Sequence, residues 1–214
     1  MKNFTTFILT LIIGFCHAQN RDPDAQTLLN EMSAKVNEYD NMVLEFKYAL
    51  DNSEENIHQD TRGDITLVGD NYVLNILGIT RIFDGEKLIT ISPEDEEVTI
   101  SKQNTTEENT ITPSQLLTFY EEGYNYKMDI IQNVRGRKIQ YIKLNSIDSN
   151  SEISYVLLGI DTNTKHVYNL IEIGSNGTKT TLTINAFKIN QPLSETLFTF
   201  DAAKYSDYYI NNLD

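Results

Sequence analysis

The residues of this chain best suited by type to proton transfer or metal binding are His58, His166 and the consecutive acids Asp95, Glu96 and Glu97. Their spacing supports neither chemistry. The sequence has no H-E-x-x-H or C-x-x-C, and no Gly-rich phosphate loop follows a strand, so the helical ligand pairs and backbone cradles that hold a metal ion or a phosphate are missing. An acid–base pair needs two carboxyl groups that face each other. Consecutive acids at a strand end alternate between faces, and they read as a solvated rim. His58 lies in a polar stretch and reads as a solvated loop residue, and His166, following Lys165 at the start of a strand, as a surface histidine. No catalytic residue, metal site or cofactor is expected.

What the chain offers instead is apolar surface. In residues 63–100, Ile65 and Leu67 alternate with Asp64 and Thr66, and Tyr72, Leu74 and Ile76 alternate with Asn71, Val73 and Asn75. A period of two marks strands with one apolar face. Asp84-Gly85 separates the runs 79–83 and 87–91 and predicts a two-residue hairpin turn. Further on, Arg135-Gly136-Arg137, residues 161–164 and Asn176-Gly177 divide five more β-rich runs, the last covering residues 179–187. Before them, Asp22-Pro23 starts a helix, with Ala25, Leu28, Leu29, Met32, Val36 and Tyr39 on one stripe, followed by a first strand at 43–50 and a polar connector at 51–60.

About ten strands with two or three short helices predict a β-rich α+β fold: a curved antiparallel sheet, or open barrel, with helices on its concave side. Residues 101–109 read as an exposed polar loop. Thr112-Pro113-Ser114 then opens a short helix, 113–120, carrying Leu116, Leu117, Phe119 and Tyr120 and ended by Gly123. This helix is either a plug of the core or a movable lid over an apolar cavity, and the curved sheet either packs dry or encloses that cavity. The cavity reading places Leu29, Met32, Leu67, Leu74, Ile76, Ile89, Ile91, Leu116, Leu117, Phe119 and Tyr120 along its wall.

The 214 residues suit one globular domain. Lys2, an apolar run over 7–15 and Cys16-His17-Ala18 before Gln19 read as a secretory signal, residues 1–18, leaving a domain of residues 19–214. The run is too short to span a membrane, and the bulky Phe15 before Cys16 disfavours lipidation there. Cleavage removes the one cysteine, so an oxidising compartment imposes no disulfide. A formal net charge of −14 argues against nucleic acid and anionic membrane surfaces as partners. It serves solubility or, alternatively, docking to a basic patch on a partner.

In order, the chain carries G-D-I-T-L-V from Gly63, F-D-G-E-K-L from Phe83, S-P-E-D-E-E-V from Ser92 and L-F-T-F from Leu197. This order and spacing resemble the periplasmic outer-membrane lipoprotein carrier family (LolA) over residues 22–205. The resemblance implies a monomeric periplasmic carrier without cofactor. It would accept triacylated lipoproteins from an inner-membrane lipoprotein-releasing transporter, shield their acyl chains in a hydrophobic cavity and deliver them to an outer-membrane acceptor. A lipid-binding sensor or regulatory module of the same fold is the alternative. Where many carriers have a basic residue and Pro in the turn before the second strand of the opening hairpin, Gly69 and Asp70 stand here, so the latch that closes the empty family member has no counterpart.

Overall fold

The computed structural model describes residues 21–102 and 119–213. The signal segment and most of the expected 113–120 helix, Leu116 and Leu117 included, lie outside them. Asp22 caps helix α1 (Pro23–Val36), its carboxylate accepting from the amides of Asp24 and Ala25 at 2.9 and 3.4 Å. Ala25, Leu28, Leu29, Met32 and Val36 form the buried stripe, while Tyr39 lies beyond the helix end.

Among the described residues twelve strands follow: β1 (Met42–Asn52), β2 (Ile57–Val68), β3 (Asn71–Ile76), β4 (Ile79–Phe83), β5 (Lys87–Ser92), β6 (Glu97–Lys102), β7 (Tyr124–Val134), β8 (Arg137–Ser146), β9 (Ile153–Asp161), β10 (Val167–Gly174), β11 (Lys179–Ile189) and β12 (Tyr209–Leu213). They make one sheet in the order β12-β6-β5-β4-β3-β2-β1-β11-β10-β9-β8-β7. The sheet is two antiparallel meanders, β1–β6 and β7–β11, joined where β1 pairs with β11, and its end strands β12 and β7 leave it unclosed. The expected curved open barrel with a helix is thus the observed architecture.

Two local expectations change. The polar stretch 51–60 is not a connector, because β1 and β2 pair through Asn52 and Ile57, leaving a turn at 53–56; backbone pairing at an exposed rim needs no apolar side chains. His58 is therefore on β2, its Nδ1 bonded to the Asp51 carboxylate. The hairpin at Asp84-Gly85 is wider than two residues. Phe83 pairs with Leu88, and Asp84 Oδ1 accepts the amides of Glu86 and Lys87 at 2.9 and 2.7 Å. The L-F-T-F segment, residues 197–200, forms no strand. It precedes a 3-10 turn, Ala202–Tyr205, and the chain then adds β12 parallel to β6.

The core lies in two places. The main cluster fills the concave face between α1 and the sheet: Leu29, Met32, Ile142 and Leu144 have no exposed surface, and Tyr120 and Tyr126 2% each. A second cluster, Ile82, Ile89, Ile91 and Val98, lies on the opposite face beneath Phe198, Phe200, Tyr205 and Tyr208.

Candidate apolar binding face

Residues directly paired across antiparallel strands share a face, so the register determines the composition of the concave surface. One row runs Leu88, Phe83, Tyr72, Leu67, Met42 and Ile189 across six strands; the next runs Thr90, Arg81, Leu74, Ile65, Leu44 and Phe187. A third row brings Ile79, Ile76, Gly63 and Phe46 together. Gly63 is required there. A Cβ at this position would lie 2.6 Å from the Asn75 carbonyl oxygen and 2.6 Å from Phe46 Cζ, so the missing side chain is what lets the Phe46 ring lie over β2.

Helix α1 covers the centre of this face. Its N-terminus is fixed to β7: the Asp22 amide donates to the Tyr126 carbonyl at 3.0 Å, and Asp22 Oδ2 accepts from the Met128 amide at 3.1 Å. The Met128 amide, with those of Asp24 and Ala25, holds the Asp22 carboxyl below its ordinary range. The opposite end is held by the Tyr39 hydroxyl, 2.8 Å from His166 Nε2, with the His166 ring stacked on Phe187 at 3.9 Å. Tyr120, in the 3-10 turn Phe119–Glu121, reaches under the helix and donates to the Leu29 carbonyl at 3.2 Å; burial pushes its hydroxyl up to about 12.

The expected wall residues divide accordingly. Leu29, Met32, Leu67 and Tyr120 meet in the main cluster, filled by α1 itself, and Phe119 packs at its edge. Leu74 and Ile76 are half-buried on the same face, packed against that cluster. Ile89 and Ile91 do not belong with them. In Lys87-Leu88-Ile89-Thr90-Ile91-Ser92 the concave side takes Leu88, Thr90 and Ser92, and the two isoleucines point to the other face, 3% exposed under the C-terminal segment. Alternation shows which residues share a face but not which face is concave, and here both faces are buried. Phe83 and Leu88 are among the concave residues that sequence reasoning missed. Both are half-buried against the main cluster, and Phe83 is in ring contact with Tyr72 at 5.7 Å.

The concave face therefore has a filled centre and an apolar lip of Leu74, Ile76, Phe83 and Leu88. At the tip of the β3–β4 hairpin, where Leu77 is 71% exposed, a solvent-open cleft of about 300 Å³ is lined by Gly63, Asp64, Asn75, Ile76, Ile79 and Thr80. The carboxylates singled out from sequence lie elsewhere. Asp95 accepts the Ser92 hydroxyl at 2.6 Å, Glu96 is in the β5–β6 turn, and Glu97 accepts from Thr99 at 3.1 Å.

An open curved sheet wrapped around one helix, with an apolar concave surface, defines a class of binding scaffold. Residues 79–201, more than half of the chain, match the family described as outer membrane lipoprotein carrier protein LolA, and the chain belongs to it. No curated protein matches the chain. Among solved structures, an uncharacterized conserved protein from Thermus thermophilus is similar at 10% identity and a TM-score of 0.57, over 88% of this chain and 99% of that one. LprF from Mycobacterium bovis is similar at 10% identity and a TM-score of 0.52, over 82% and 97%. At such identities the likeness is one of fold.

Proposed function

We propose that this protein is a periplasmic carrier that shields the acyl chains of lipoproteins on its concave face and transfers them from the inner to the outer membrane. The observation that carries this reading is the lip of Leu74, Ile76, Phe83 and Leu88, an apolar surface continuous with the core and only half-buried. Membership of the carrier family supports it. In this reading the mature chain starts at Gln19, and no helix among the described residues is long and apolar enough to cross a membrane.

Magnitudes constrain the mechanism. Burying a methylene is worth about 0.8 kcal/mol, so about 40 methylenes would nominally give about 30 kcal/mol, above the ceiling of about 20 seen for non-covalent binding. The chains are therefore only partly buried. Entry starts at the lip, and deeper burial requires α1 to yield some of the space its side chains fill.

Native mass spectrometry of the protein isolated from its own periplasm tests the cargo: intact lipoprotein is expected, and free lipid alone would favour the sensor reading. Leu74→Glu tests the face. A carboxylate forced into apolar contact costs several kcal/mol, so acyl-probe affinity should fall at least a hundredfold while the β-rich circular dichroism persists. A folded variant with unchanged affinity would move the site elsewhere.

A further inference from the structure

Arg81 stands in the middle of the lip. On β4 it shares the concave side with Ile79 and Phe83, and across the sheet it lies between Leu74 and Thr90. It is close enough to Tyr72 for its charge to act on that hydroxyl, which burial otherwise pushes up. The concave positions of β3 and β5 around it are Tyr72, Leu74, Ile76, Leu88, Thr90 and Ser92, none of them acidic. Among the described residues the Arg81 side chain makes no ion pair and no hydrogen bond. Yet this is a chain of net charge −14, in which carboxylates outnumber cations. On the concave positions of β3 to β6 the one carboxylate is Glu97, two strands away opposite Ser92, and it takes the Thr99 hydroxyl.

We propose that the lip binds an acyl amphiphile with an anionic head, its chain along Leu74, Ile76, Phe83 and Leu88 and its anionic oxygens on the Arg81 guanidinium. Arg81 is exposed, so a head group can reach it from solvent, and its guanidinium presents paired N–H donors that match a carboxylate or a phosphate. The net charge of the protein repels anions at long range, so the capture is local: the acyl chain delivers the head to Arg81. The inference rests on the reading that the concave face takes acyl chains, and it adds the chemistry of the head.

The test is displacement of the neutral dye N-phenyl-1-naphthylamine from the mature protein, with every lipid below its micelle threshold. Palmitate is compared with hexadecanol for the carboxylate source, and lysophosphatidylglycerol with monopalmitoylglycerol, which lacks the phosphate, for the phosphate source. The anionic member of at least one pair should bind about tenfold more tightly, the worth of a charge-assisted hydrogen bond. Which pair shows the preference identifies the head. Arg81→Gln should abolish that preference without changing hexadecanol or dye affinity, and Arg81→Lys should retain part of it. Equal affinities within both pairs, or a parallel loss for neutral and anionic lipids in Arg81→Gln, would overturn the inference while leaving the acyl-binding reading intact. Failure of the dye and of all four lipids to bind the unsubstituted protein would overturn both.

Discussion

Gly63 and His166 show how single positions set this surface. Any side chain at Gly63 must displace both the Asn75 backbone and the Phe46 ring, each 2.6 Å from the required Cβ. Gly63→Ala should therefore destabilise the protein by about 1–3 kcal/mol, the usual cost of overpacking a filled site. A urea midpoint equal to that of the unsubstituted protein would show that the ring moves freely. His166 acts through its charge. Burial, helped by Lys35 and Arg137 and opposed by Asp161, lowers its pKa from an ordinary value of 6.5. The unfolded chain thus binds the proton more readily than the folded one, so this contribution is complete above about pH 6.5 and is lost as the pH falls below it. Urea titrations at pH 7.5 and 5.5 should show a loss of at most about 1.4 kcal/mol per pH unit from this residue. In His166→Gln the dependence should be flatter, and an unchanged slope would assign it to other groups.

At the scale of elements, the C-terminal segment decides which face of β4–β6 is available to a ligand. Phe200 stacks on Tyr205 at 5.5 Å, Tyr205 meets Tyr208 edge-on at 5.3 Å, and with Phe198 they cover Ile82, Ile89, Ile91 and Val98. Fully burying one such aliphatic side chain is worth about 1.5–3 kcal/mol, and a domain is stable by only about 5–15. Truncation after Pro192 should consequently leave a chain that is largely unfolded or aggregated, detected by loss of a cooperative melting transition. Phe198→Ala should cost about 2 kcal/mol, less than a fully buried Phe because this ring is half-buried. Acyl-probe binding should survive in that variant, since the cluster lies on the side opposite the lip. Loss of binding with retained fold would place ligand on the convex face.

For the whole molecule, mass analysis of the periplasmic form should give a chain beginning at Gln19 with no lipid attached. A diacylglycerol-modified Cys16 would make it a membrane-anchored protein instead. The apolar strand periodicities, the Asp22-Pro23 helix start and most turns were legible in the sequence because each rests on neighbouring residues: alternation, a cap, a residue that tolerates a turn. From them followed the strand-rich class, the curved sheet and the helix stripe of Leu28, Leu29 and Met32. The order and spacing of the short segments carried the family. Only the tertiary structure decided the pairing of β1 with β11, which joins Met42 to Ile189 and so merges two meanders into one sheet. Nor was β12 legible, since a parallel partner of β6 far along the chain leaves no local mark. The same limit governs the site. Lys87-Leu88-Ile89-Thr90-Ile91 is apolar enough on both faces that its pattern admits either orientation, and the hydrogen-bond register to Ile82 and Phe83 alone turns Leu88 inward and Ile89 outward. Arg81 reads in sequence as an ordinary strand charge; its place among Leu74, Phe83 and Tyr72 exists only once β3, β4 and β5 are paired, because a residue's face is a property of the sheet.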